Sequence, residues 1–156
     1  MLTSLVGSEM CIRDRVKAHK NATAVIIFVA NDITGIQTKT HRDLTPAEVK
    51  RLFVNISKRI KNQLGNEVPI FVIETTPTPK RWEAWPKIAE ANDKIQAYTQ
   101  KKDNLYYIST RNFYTNDFGM PVKKFFTEDS LHLNRKGYQL WGKIIKNVIN
   151  KTIPRI

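Results

Sequence analysis

Cysteine is almost missing from this chain: Cys11 is the only one in 156 residues. No disulfide can form within one copy, and cysteine usage carries no information about redox compartment. Acidic residues are also scarce, 14 against 26 Lys and Arg, which leaves a formal net charge of +12. No apolar run approaches the roughly 20 residues that a membrane-spanning helix needs. The three histidines, His19, His41 and His132, stand far apart without ligand spacing, so no metal is implied. The tripeptide Asp117-Phe118-Gly119 is similar to a kinase magnesium loop, but no glycine-rich loop or other kinase element accompanies it. There is no internal repeat.

What is present describes one globular domain. The chain is 41% hydrophobic and 10% aromatic, and long enough to build a core. The positive charge falls in short pairs, Lys50-Arg51, Lys58-Arg59, Lys80-Arg81, Lys101-Lys102 and Lys123-Lys124, with a further group from Lys143 to Lys151. Scattered over several elements, this is a solvated surface. It argues against specific nucleic-acid binding and allows diffuse attraction to anionic polymers or membranes.

Periodicity alternates strand with helix. Ala24 to Val29 is an unbroken, β-branched apolar run and reads as a parallel strand buried on both faces. Thr45-Pro46-Ala47-Glu48 is a capping box with Pro at the first helical position, and Val49, Leu52, Phe53, Ile56 and Ile60 then recur on one face up to Gly65. Val68 to Ile73 is a second strand, stopped by Pro77 and Pro79. Trp82, Trp85, Ile88, Ile95 and Tyr98 indicate another helix; tryptophans at the Trp82-Trp85 spacing are more often core anchors than the sugar-binding rim that is their alternative reading. Leu105 to Ile108 is a third strand, and residues 109–125 read as a polar loop. The pattern predicts an α/β fold: a parallel sheet with helices on both faces and ligands bound beyond the carboxyl ends of the strands.

The chemistry is concentrated in Phe126 to Trp141, FTEDSLHLNRKGYQLW. Asp129 stands three residues before His132, and Asn134 caps a terminal helix whose core face is read as Tyr138, Trp141, Ile145 and Val148. A carboxylate bonded to one imidazole nitrogen fixes the tautomer and leaves the other nitrogen free to take a proton from a nucleophile. His19 and His41, in polar surroundings, read as surface residues. A second block, Asn31-Asp32, closes the first strand; taken alone, such a pair is equally an ordinary strand-ending turn.

These two blocks together resemble the SGNH hydrolases, also called the GDSL esterase family. The resemblance implies a three-layer α/β/α sandwich with a flavodoxin-like parallel sheet of order 2-1-3-4-5, a serine esterase activity on small esters or acetylated carbohydrates, and no cofactor. It implies Asp129 and His132 as catalytic residues, Asn31 as a side-chain donor to the oxyanion, and Asn92 at a position the family often fills with Asn. Val29 stands where the family has Gly. The Gly-Asp-Ser nucleophile block and the second-block oxyanion glycine are not recognisable, and Gly7-Ser8 lacks the strand-to-helix pattern around it. Residues 4–15, SLVGSEMCIRDR, resemble translated sequencing-adaptor read-through. The expectation is therefore a non-native leader over residues 1–15 and one SGNH-type domain over 16–156 lacking its N-terminal strands and, with them, its nucleophile. The competing expectation is a non-catalytic remnant or basic module that binds anionic polymers.

Overall fold

The computed structural model describes residues 19, 21–29, 32–38 and 42–153. Asn31, His41, Cys11, Gly7-Ser8 and the leader lie outside the described residues. Three strands, β1 (Val25–Phe28), β2 (Ile70–Ile73) and β3 (Leu105–Ile108), form one parallel sheet in that order, with Val25 opposite Ile70 and Ile70 opposite Leu105. The connections contain helices α1 (Pro46–Leu64) and α2 (Trp85–Thr99), preceded by a 3-10 segment at Pro79–Ala84. After β3 come a single turn, α3 (Arg111–Tyr114), a 3-10 turn at Lys123–Phe125 and the long helix α4 (Arg135–Thr152).

Side-chain alternation along the strands sorts the core into two halves. Ile70 and Val72 of β2, with Ile27 and Leu105, pack against Val49, Phe53 and Ile60 of α1 and Ile88 and Ile95 of α2. Phe71 and Ile73 of β2, with Ile108, pack against Ile144 and Ile145 of α4 and against Tyr114 and Phe126. β2 is consequently the buried centre, all four residues shielded from solvent. The result is an α/β/α sandwich, as the alternating pattern predicts.

Local chemistry explains the helix ends. Thr45 accepts from the Glu48 amide while the Glu48 side chain accepts from the Thr45 amide, so the capping box forms in full. Gly65 terminates α1, donating its N–H to the Lys61 carbonyl. Asn134 accepts from the Gly137 amide and starts α4.

Four sequence expectations need correction. Strands one and two are shorter than expected, because Ala24, Val29, Val68 and Pro69 lie outside the paired register. β1 is buried on both faces only in part: Val25 and Ile27 pack into one half of the core and Ile26 against the other, but Phe28 is exposed. Tyr138 does not enter the core but packs edge-on against Trp141, which in turn meets Phe28 edge-on. Residues 109–125 are not loop throughout but contain α3 and the 3-10 turn at Lys123–Phe125.

Candidate active site

In a parallel sheet every strand exits on the same rim, so the segments after β1, β2 and β3 are neighbours. Cross-bonds lock them together. The Thr75 hydroxyl donates to the Val29 carbonyl at 2.6 Å, which ties the exit of β2 to that of β1 just ahead of the Asn31-Asp32 pair. Buried Asn92 reaches from α2 to bracket the Thr75 backbone, accepting from its N–H at 3.1 Å and donating to its carbonyl at 2.9 Å. Asp32, Thr75 and Asn92 share a small cavity of about 10 Å³. Burial pushes the Asp32 carboxyl above its ordinary value, partly offset by a backbone hydrogen bond.

Glu74, the residue after β2, is an element that sequence reasoning missed. Its carboxylate is buried and accepts from the Tyr107 hydroxyl at 2.7 Å, the Ser109 hydroxyl at 2.9 Å, the Thr110 and Arg111 amides and Arg111 Nε at 2.9 Å. Such a charge persists inside a protein only when paired and fully hydrogen-bonded. Burial, reinforced by the neighbouring Glu74 carboxylate, raises the Tyr107 phenol well above its ordinary range, so it stays a donor. The only sequence signal was an acid directly after a strand, and that pattern does not reveal its donors.

The Asp129-His132 loop is closed at its base by an antiparallel bridge between Phe126 and Leu133 and by the Thr127 amide donating to the His132 carbonyl at 2.8 Å. Within it, Asp129 Oδ2 lies 2.6 Å from His132 Nδ1. Asp129 Oδ1 accepts three further donors: the Thr127 hydroxyl at 2.6 Å, the Leu131 amide at 2.8 Å and the His132 amide at 2.9 Å. The hydrogen bond from His132, followed by those from Thr127 and the loop amides, holds the Asp129 carboxyl far below the usual carboxylate range. Ser130, at φ +60, supplies the left-handed residue that folds the loop back on Asp129. Thr127 was another omission of the sequence reading, visible in retrospect as a hydroxyl two residues before the acid.

The loop is held at the rim from both sides. The Lys80 amide, from the segment after β2, donates to the Ser130 carbonyl at 3.0 Å. Asn134 Nδ2 donates to the Lys124 and Phe126 carbonyls while Oδ1 caps α4, so one side chain joins the loop, the 3-10 turn and the helix. Beside the loop lies a cleft of about 210 Å³ lined by Thr34, Ile36, Thr38, Lys80, Arg81 and Leu131. Its far wall is fixed by Asp43, which accepts from the Thr34 amide and hydroxyl and from the Gly35 amide at 2.9, 2.8 and 2.7 Å. His132 itself is exposed, its side chain 68% accessible. The arrangement presents an exposed imidazole bonded to an immobilised carboxylate, on a loop whose Leu131 lines an open cleft. His19 is exposed and remote in sequence from these groups, and among the described residues no cluster of His, Cys, Asp or Glu is arranged to hold a metal. Trp82 and Trp85 stack on one another with centroids 6.1 Å apart, and Trp85 packs against the α1/α2 core.

No protein-family model matches the sequence, and no curated protein sequence does. The backbone, by contrast, matches solved structures. A GDSL-like lipase of Bacteroides thetaiotaomicron superposes with a TM-score of 0.71 at 17% identity, over 92% of this chain and 69% of that one. The fold is that of the SGNH, or GDSL, hydrolases. A lipase/acylhydrolase of Enterococcus faecalis gives a TM-score of 0.63 at 21% identity, over 89% of this chain and 67% of its own. A carbohydrate esterase of family 3 from Talaromyces cellulolyticus gives 0.62 at 14% identity, over 90% and 65%. This chain therefore spans about two-thirds of the length of these SGNH-fold proteins.

Proposed function

We propose that this protein belongs to an ester-hydrolysing system of the SGNH kind, with His132 as general base and then general acid and Asp129 as its orienting partner. The observation that carries the proposal is the 2.6 Å Asp129-His132 contact on a carboxylate that holds three further donors. A carboxylate fixed in this way dictates which imidazole nitrogen carries the proton and stabilises the imidazolium formed when a serine hydroxyl is deprotonated. The serine oxygen then attacks the ester carbonyl, the alkoxide leaves with a proton from His132, and water reverses the sequence to free the acid. Asn31, two residues past Val29, is assigned by family resemblance as donor to the oxyanion. The nucleophile is left unassigned. The likeness to a lipase, an acylhydrolase and a carbohydrate esterase supports small or carbohydrate-borne esters as the substrate class.

Hydrolysis of p-nitrophenyl acetate by the chain and by His132→Ala tests this reading. Turnover by the chain that falls on the order of 10² to 10⁴-fold in the variant supports it and requires a serine within the chain. Turnover unchanged by the substitution contradicts it, and a chain inert from the outset supports the non-catalytic reading instead.

A further inference from the structure

We propose that the turn formed by residues 115–121 is an anchor that docks this protein on an anionic lipid surface, with Phe118 as the inserted side chain. Phe118 is 90% exposed, and Phe113 and Met120 nearby are exposed at 53% and 43%. Isolated apolar side chains on a surface are ordinary, but three within eight residues, one of them at the tip of a tight turn, form a concentrated apolar feature.

The turn is held rigid by its own hydrogen bonds. Thr115 and Pro121 bridge its base, and the Asn116 amide donates to the Met120 carbonyl at 2.9 Å. The Gly119 amide donates to the Asn116 carbonyl at 2.8 Å, and Asn116 Oδ1 accepts from the Phe118 and Met120 amides at 3.0 and 2.9 Å. Gly119 takes φ +77, a conformation costly for any residue with a Cβ. An aromatic ring on a backbone already fixed loses little further freedom on insertion. Its convex presentation suits a deformable interface.

Charge selects the kind of surface. Exposed Lys123 and Lys124 follow the turn directly, and the Asn134 bond to the Lys124 carbonyl brings exposed Arg135 and Lys136 of α4 alongside. Asp117, Glu128 and Asp129 are the opposing acids in this region. The net charge of +12 attracts the whole molecule to an anionic bilayer, and basic residues beside an inserted apolar group are the pattern of interfacial anchors. Residues 121–126 lead from the turn into the Asp129-His132 loop, so docking brings that loop to the lipid boundary. Docking stands apart from catalysis; only its consequence, delivery of lipid-borne esters, rests on the hydrolytic reading.

Cosedimentation of the full chain with vesicles of phosphatidylcholine alone, or with about one-third phosphatidylglycerol, tests the inference. The chain is expected to sediment with the mixed vesicles, and Phe118→Ser to bind roughly tenfold more weakly with an unchanged melting curve. A Phe118→Trp variant is expected to gain blue-shifted emission, quenched by brominated acyl chains, relative to the parent protein. Equal binding of Phe118→Ser would reduce the attraction to diffuse charge and overturn the proposal. So would absence of binding to either vesicle, or a Phe118-dependent self-association without lipid.

Discussion

Arg111 bridges Glu74 and Asp93: Nε lies 2.9 Å from the buried Glu74 carboxylate and Nη2 lies 2.9 Å from Asp93 on α2. The guanidinium also sits over the Trp85 ring at 5.7 Å. Through these contacts the exits of β2 and β3 and the face of α2 become one unit. Arg111→Met leaves Glu74 buried with its cationic partner gone but its Tyr107, Ser109 and Thr110 donors intact. The expected loss is about 2 kcal/mol, below the range for a buried pair left without other donors, read as a lower urea midpoint with an unchanged slope.

Gly137 and Gly142 both lie in α4 but predict opposite outcomes. A Cβ at Gly137 collides with the Phe125 carbonyl and crowds Leu133, because the helix start packs directly on the 3-10 turn, where Tyr114 donates its hydroxyl to the Gly137 carbonyl at 2.7 Å. At Gly142 a Cβ meets nothing within 4 Å. Gly137→Ala is expected to destabilise by about 1 to 3 kcal/mol and Gly142→Ala to stabilise by about 0.5 to 1 kcal/mol. Thermal melts of the two variants, side by side, check both signs.

Two carboxyls are expected to contribute to the acid limb of stability. The Thr45 amide, aided by Arg42 and the Thr45 hydroxyl, lowers Glu48 from its ordinary 4.5 to about 2. A depressed folded-state pKa means that the stabilisation is fully present above the ordinary value and is lost as pH falls through the folded one. Glu48→Gln is therefore expected to be less stable than the parent at pH 7, with the difference shrinking between about pH 4.5 and 2. Asp129 follows the same sign: Asp129→Asn is expected to lose stability at neutral pH, with the gap persisting until the pH drops well below 3.8. Denaturant midpoints measured against pH for each pair check this. In the ester assay, Asp129→Asn is also expected to lower turnover on the order of 10² to 10⁴-fold.

Much of this was legible because it is local. The capping box at Thr45, the stop at Gly65, the third strand at Leu105–Ile108 and the cap at Asn134 are written in residues three or four apart. The Asp129-His132 pair belongs to the same class, both groups lying on one short loop. The Glu74 donors were not legible, since Tyr107, Ser109 and Arg111 come from a strand exit more than 30 residues away. Tyr138 misled because helical spacing reports a face and not whether another layer reaches it. The order in residues 109–125 was hidden because its bonds, backbone to backbone and side-chain oxygen to backbone amide, are ones that apolar periodicity does not record.

The most direct measurement is of the His132 ring itself, by two-bond proton-nitrogen correlation NMR across the titration of the imidazole. With Asp129 Oδ2 at 2.6 Å from Nδ1, the neutral ring is expected to carry its proton on Nδ1, leaving Nε2 bare to accept one, and Asp129→Ala is expected to shift the population toward the Nε2–H form. A neutral His132 that already holds its proton on Nε2 would have no base to offer a serine and would contradict the assignment.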